Sequence, residues 1–85
     1  MKKLSIIIPC YNEEKTIKKV IEKIIALSSI KKQIIVVDDC STDNSYEIIN
    51  SFSNKDILLL KNQKNLGKGG SINAAKKYID GDIVV

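Results

Sequence analysis

Ile34-Ile35-Val36-Val37-Asp38-Asp39 is an unbroken run of branched aliphatic side chains that ends on two carboxylates. A strand with one wet face alternates apolar and polar residues. This run does not, so it reads as a strand covered on both faces, the habit of parallel sheets. Open parallel sheets bind their ligands beyond the carboxyl ends of the strands. The two acids stand at that end, and Cys40-Ser41-Thr42-Asp43 behind them opens a helix. The pair therefore occupies a short strand-to-helix turn.

Upstream of the acids, Leu4 to Ile8 reads as another buried strand, closed by Pro9, which has no N–H to give a sheet ladder. Asn12 is expected as the N-cap of the next helix, with Glu13 and Glu14 at the positive end of its dipole. Ile17, Val20, Ile21, Ile24 and Ile25 follow at helical spacing and make one apolar stripe, and Ser28-Ser29 ends that helix. Gln33 to Val37 is the strand that carries the acids.

Downstream, a helix from about Asp43 to Phe52 turns Tyr46, Ile49 and Phe52 or Ile48 inward, and Ile57 to Leu60 is a third strand. Asn62 to Gly70 is a polar loop with three of the four glycines. Ser71 to Ile79 reads as a helix with Ile72, Ala75 and Ile79 on one side, stopped at Asp80-Gly81 with Gly81 as a left-handed cap. Asp82-Ile83-Val84-Val85 begins a fourth strand. Strict alternation of strand and helix predicts right-handed crossovers and a parallel, doubly wound α/β sheet.

At 85 residues and 44% hydrophobic, the chain is one small domain with a modest core. Its net charge of +4 arises from lysine alone, since arginine and histidine are absent. Without histidine, Ser-His and Cys-His nucleophile pairs and the commonest metal ligand are excluded. Lys15, Lys18, Lys19 and Lys23 interrupt the first helical stripe as a solvated face requires. With no arginine and no aromatic interleaving, nucleic acid is not an expected partner. Cys10 and Cys40 each follow a strand end and match no zinc or redox spacing, as reduced cytosolic thiols would. Met1-Lys2-Lys3 has the charge of a signal peptide, but Pro9 and Asn12-Glu13-Glu14 cut the apolar stretch short. No segment reaches transmembrane length. A cytoplasmic location is expected.

Three familiar α/β sites fail on spacing. A dinucleotide fingerprint would put glycines directly after the first strand, where Pro9-Cys10-Tyr11-Asn12 stands, and Gly67-Lys68-Gly69 has Ile72 in place of a third glycine. A P-loop needs a glycine where Asn62 is, and Ser or Thr where Gly69 is. A response-regulator receiver also carries an acid pair, but on its first strand, with a phosphorylatable Asp ending the third. Here a strand and helix precede the acids, and Leu58-Leu59-Leu60-Lys61 supplies no carboxylate.

Four blocks remain: Ser5-Ile6-Ile7-Ile8-Pro9-Cys10-Tyr11-Asn12-Glu13, Ile35-Val36-Val37-Asp38-Asp39-Cys40-Ser41-Thr42-Asp43, Asn65-Leu66-Gly67-Lys68-Gly69-Gly70 and Gly81-Asp82-Ile83-Val84-Val85. In this order they resemble the amino-terminal half of a family 2 glycosyltransferase, over essentially the whole chain. The resemblance implies that residues 1–85 form the Rossmann-like nucleotide-binding half of a GT-A fold, incomplete at the carboxyl side.

It also implies roles. Pro9, Tyr11 and Glu13 would line the base and ribose of a UDP- or GDP-linked sugar, with Tyr11 against the base. Asp39 would accept an N–H from uracil or guanine, while Val37 lines the base site and Asp38 bonds turn amides. Gly67 and Gly69 would support a turn whose amides face phosphate, with Lys68 adding charge. Residue by residue, simpler roles stay open: a core-edge tyrosine, a first-turn helix acid, turn chemistry with Ser41, Thr42 and Asp43, and a plain glycine turn.

Asn65-x-Gly67-Lys68-Gly69 resembles the polyprenyl- and dolichol-phosphate sugar synthase branch, which implies a lipid-phosphate or glycan acceptor and work at the inner face of the membrane. The intact family domain uses a divalent metal, Mg or Mn, held by an Asp-x-Asp that follows the strand begun at Ile83. That motif, the catalytic base and the acceptor site fall beyond Val85. No catalytic residue and no metal ligand is therefore expected in this chain, which should be inactive alone. A truncated enzyme or one completed by a separately encoded C-terminal half is expected; the alternative is a non-catalytic nucleotide-binding or interaction module.

Overall fold

The computed structural model describes residues 2–84. Strands β1 (Leu4–Cys10), β2 (Lys32–Asp38), β3 (Ile57–Lys61) and β4 (Ile83–Val84) form one sheet in the order β3-β2-β1-β4. Every pairing is parallel. Helices α1 (Ile17–Ile25), α2 (Ser45–Asn50) and α3 (Gly67–Ala75, continued by a 3₁₀ turn, Lys76–Tyr78) make the crossovers. The expected doubly wound sheet is present.

The run Ile34, Ile35, Val36 and Val37 is 0% exposed throughout. Its even members, Ile34 and Val36, pack with Cys10, Ile17, Ile21 and Ile49 beneath α1 and α2. Its odd members, Ile35 and Val37, pack with Ala75, Ile7, Leu58, Leu60 and Ile79 beneath α3. The absence of alternation thus reflects helices on both faces. At about 2 kcal/mol per buried aliphatic side chain, these four contribute on the order of 8 kcal/mol, an upper figure.

Several expected details change. Pro9 lies inside β1, paired with Val37, rather than closing the strand. The Leu4 amide donates toward β2, to Lys31 O at 3.0 Å. Alternation along the strand then turns residue 9 toward the β4 side, where β4 pairs only with Leu4 and Ser5. The missing N–H of proline costs no ladder bond there.

Helix α1 begins at Ile17, not after Asn12, and ends at Ile25, before Ser28-Ser29. Asn12 has φ +52, a left-handed conformation that asparagine tolerates. Val20 leaves the apolar stripe and is 41% exposed, since α1 buries only Ile17 and Ile21 fully. The lysines at 15, 18, 19 and 23 are exposed as expected, but Lys32 is not. Its stem is buried and its ammonium donates to Leu27 O and Ile30 O at 2.9 and 3.4 Å, closing the loop into β2.

Helix α3 starts at Gly67, so the glycines form its first turn instead of preceding it. Ile72 is turned outward, 36% exposed, while Ala75 and Ile79 face the sheet. Gly81 is not a left-handed cap, because the positive-φ glycine is Gly67, at +77. Glycine is needed at 81 for a different reason: a Cβ would lie 2.5 Å from Ser5 Oγ and 2.8 Å from Lys3 O. The Gly81 amide instead donates to Ser5 Oγ at 2.9 Å as the chain enters β4. Val85, expected in that strand, lies outside the described residues.

Candidate functional site

In the order β3-β2-β1-β4, the chain leaves β1 toward one side of the sheet and returns to its other side through α3. The crevice at the carboxyl end of β1 is therefore a topological switch point, the position at which open α/β sheets bind ligands. A cleft of about 290 Å³ lies there, lined by Pro9, Cys10, Tyr11, Glu13, Asp39, Gly67, Lys68 and Ser71. Six residues singled out from sequence, Pro9, Tyr11, Glu13, Asp39, Gly67 and Lys68, meet in it from three separate elements. Tyr11, 46% exposed, lies at the edge of the cleft with much of its side chain open to solvent.

Three others fall elsewhere. Val37, expected to line the base site, is buried under α3 and is not among the residues lining this cleft. Asp38 is 0% exposed. Its Oδ2 accepts from the Ser41 amide at 3.2 Å, the turn bond expected of it, while Oδ1 meets no donor among the described groups. Gly69 stands in open space, where a Cβ would meet nothing within 4 Å, so the turn makes no demand for glycine there.

Asp39 is the hub. Its Oδ1 accepts from the Leu66 amide at 2.7 Å and from Asn62 Nδ2 at 2.8 Å, and its Oδ2 accepts from the Gly67 amide at 2.9 Å. The Leu66 amide first, then Asn62 and Gly67, hold the carboxyl below its ordinary range against the opposing effect of burial. The first amides of α3 are thus aimed at this carboxylate, with the helix dipole favouring its charge. The phosphate expected opposite these amides would find that position taken by Asp39. Lys68 remains free to face an anion in the cleft.

Local composition carries no sign of how the first two strand-to-helix turns are joined. Asn12 Oδ1 accepts from the Thr42 and Asp43 amides at 2.8 and 3.3 Å. In return the Asn12 amide donates to Ser41 Oγ at 2.9 Å, Glu13 to Ser45 Oγ at 2.8 Å and Glu14 to Asp43 Oδ2 at 3.2 Å. Asn12, expected as the cap of its own helix, instead joins Ser41, Thr42, Asp43 and Ser45 in lacing one turn to the other, which fixes Tyr11 and Glu13 relative to Asp39. Burial works against ionisation of Asp43, but the Ser45 and Glu14 donors prevail and lower its carboxyl.

Burial pushes the Cys10 thiol up; the Ser45 hydroxyl reduces the shift and the Asp38 carboxylate adds to it. Both cysteines are free. Among the described residues no three Asp, Glu, Cys or His side chains converge as a cation site, so the donor set present does not fit a resident divalent metal. Nor is any helix there long and apolar enough to cross a membrane.

Fold and cleft together define a parallel α/β domain with a polar cleft at the switch point. The model of the glycosyl transferase family 2 matches residues 5–85, and the chain belongs to this family. It is 34% identical over 83 residues to a poly-β-1,6-N-acetyl-D-glucosamine synthase of Staphylococcus aureus, covering 96% of this chain and 20% of that protein. It superposes with a TM-score of 0.89 on a Pyrobaculum calidifontis mannosyltransferase in complex with GDP-Man and Mn2+, at 26% identity, covering 98% of this chain and 26% of that one. Against S. aureus TarS in complex with UDP-GlcNAc the TM-score is 0.87 at 33% identity, over 98% of this chain and 25% of that one. The chain thus spans a fifth to about a quarter of the length of these relatives.

Proposed function

We propose that this chain is the donor-recognising part of a family 2 glycosyltransferase and that its cleft binds the nucleotide of a UDP- or GDP-linked sugar. One observation carries this: Tyr11 and Glu13 from the end of β1, Asp39 from the end of β2 and Lys68 from the start of α3 line a single cleft at the switch point. About 290 Å³ is close to the lower limit for small-molecule pockets and suits one nucleoside. The open ring of Tyr11 offers a stacking face, Glu13 accepts ribose hydroxyls, Asp39 accepts a base N–H and Lys68 attracts the diphosphate.

These residues bind and orient a donor; none of them is assigned the transfer of the sugar. In the intact domain a Mg or Mn ion would supply charge to neutralise a departing diphosphate, and none of the residues lining this cleft is assigned to hold it. Residues 1–85 are in this view a partial domain, and a lipid-phosphate acceptor, suggested by Asn65-x-Gly67-Lys68-Gly69, is the finer reading of the same motif. Calorimetric titration with UDP, GDP and inorganic diphosphate tests the site. Saturable binding of a nucleotide that Tyr11→Ala weakens at least tenfold is expected, and equal binding by diphosphate alone overturns the base site. Turnover of a nucleotide-sugar by the pure chain with Mn2+ would contradict the assignment of transfer to other residues.

A second role, pairing with a separately encoded C-terminal half, is favoured by β4, where Ile83 and Val84 are 43% and 52% exposed on an open strand edge. A monodisperse monomer at high concentration in size-exclusion chromatography, stable without any partner, counts against it.

A further inference from the structure

Asn62 follows the last residue of β3 as Asp39 follows that of β2, and it is buried, 8% exposed, beside the start of α3. Its own amide N–H donates to Asp38 O at 2.9 Å, which fixes its backbone to the neighbouring strand end. Its side-chain NH₂ donates one hydrogen to Asp39 Oδ1 at 2.8 Å and the other to the wholly buried Ser71 Oγ at 3.1 Å. Both donors of the amide are thus committed. The reverse orientation would set its carbonyl oxygen against a carboxylate, so the amide has one stable setting.

A carboxylate offers about four acceptor positions. Asn62 and the Leu66 amide fill both positions on Oδ1, and the Gly67 amide fills one on Oδ2. At most one acceptor position remains on Asp39, on Oδ2, and the residue is otherwise buried, with 4% of its surface exposed. Guanine presents adjacent N1–H and N2–H donors and is best met by both oxygens of a carboxylate. Uracil presents a single N3–H between two carbonyls. A carboxylate with one oxygen saturated by donors accepts that N–H and repels the flanking carbonyl less. Cytosine has no N3–H to give.

We propose that Asn62 is a positioning residue that sets the base selectivity of the cleft, holding Asp39 so that it accepts one N–H and favours uridine over guanosine and cytidine nucleotides. The selectivity rests on the nucleotide-donor function proposed above. Ser71 completes the device by holding the amide of Asn62.

The test is calorimetry of the full 85-residue chain with UDP, GDP and CDP, alongside ¹³C NMR titration of the Asp39 carboxyl. UDP is expected to bind at least tenfold more tightly than GDP, with CDP weaker still. Asn62→Ala should raise the Asp39 titration midpoint and reduce the UDP:GDP preference several-fold. Ser71→Ala, which leaves Asn62 in place, should do both to a smaller extent and serves if Asn62→Ala does not fold. Equal affinity for UDP and GDP, or a preference that neither substitution changes, overturns the selectivity alone. Failure to bind either nucleotide, by a chain whose Asp39 still titrates low, overturns the nucleotide-donor function and the selectivity with it.

Discussion

Replacing Asn12 by alanine should release the lacing between the first two strand-to-helix turns, and its size can be worked from two separable parts. The first is the side-chain oxygen, which accepts from Thr42 and Asp43 amides at 2.8 and 3.3 Å. Both bonds are exposed, so each should contribute near the lower end of the range, about 0.5–1 kcal/mol. The second is the backbone: φ +52 costs a Cβ-bearing residue lacking a local polar partner about 1 kcal/mol. Asn12→Ala should therefore lose about 2–3 kcal/mol. That is a large share of the roughly 4–13 kcal/mol available to a domain of this length. Asn12→Gly keeps the left-handed backbone and should lose about 1–2 kcal/mol, while Asn12→Asp keeps the acceptor and should stay within about 0.5 kcal/mol of the parent. Urea unfolding followed by circular dichroism reads these differences as midpoint shifts at constant slope. In a thermal melt, Asn12→Ala should fall by on the order of 10 °C. Identical losses for alanine and glycine would refute the backbone part, and an alanine variant within about 0.5 kcal/mol of the parent would refute the lacing altogether.

Gly81→Ala would place a methyl group 2.8 Å from Lys3 O and 2.9 Å from Ser5 N, neither of which can move without disturbing β1. A loss of about 1–3 kcal/mol is expected by chemical denaturation. Because the Asp39 carboxyl titrates lower folded than unfolded, its contribution is complete above the ordinary carboxylate range. It is lost as the pH falls through that range toward the folded value. Acid should thus loosen the start of α3, seen as faster hydrogen exchange at Leu66 and Gly67 after correction for intrinsic rate, and Asp39→Asn should remove that pH dependence. Cys10, buried with a raised thiol, should resist alkylation at neutral pH until the protein unfolds, whereas the partly exposed Cys40 should react in the native state. Equal rates for the two thiols in mass spectrometry would contradict the packing. Cys40 also has φ +63, so the β-branched Cys40→Val should cost about 1–2 kcal/mol in the same denaturation assay.

The sheet was legible because burial on both faces leaves a direct trace: Ile34 to Val37 carries no polar residue, and other short apolar runs alternate with the helices. The location of the cleft was legible for the same reason, since strand ends and their polar turns can be read from where apolar runs stop. What could not be read was which polar residue bonds which. Asn12, Ser41, Asp43 and Ser45 all have the composition of helix caps, and local spacing cannot distinguish a cap from a bond across 30 residues, such as Asn12 to Thr42. Asn62 looked like loop polarity. Its position just past a strand end, as with Asp39, was the available signal. Val37 shows the converse error: it shares a face with Asp39, two positions on and just past the end of β2, but it lies deeper under α3, in the core, while Asp39 lines the cleft. Gly81 was expected for its backbone freedom, and its actual constraint is the approach of a distant strand, which no local pattern records.

The placement of β1 between β2 and β4 bears on how the chain comes to fold. One flank of β1 is satisfied early, by a strand about 28 positions away, as between Ser5 and Gln33. The other flank waits for Gly81 and Asp82, which reach Ser5 and Lys3 across 76 and 79 positions. Ring closures of that span are slow to form and contribute little until nearly the whole chain is present. During synthesis at a ribosome, β1-α1-β2-α2-β3 can therefore assemble as a three-stranded unit with a bare flank. The bonds of Gly81 to Ser5 and of Lys3 to Asp82 close it last, so destabilising changes at Gly81 and Asp82 should chiefly speed unfolding and leave the folding rate almost unchanged.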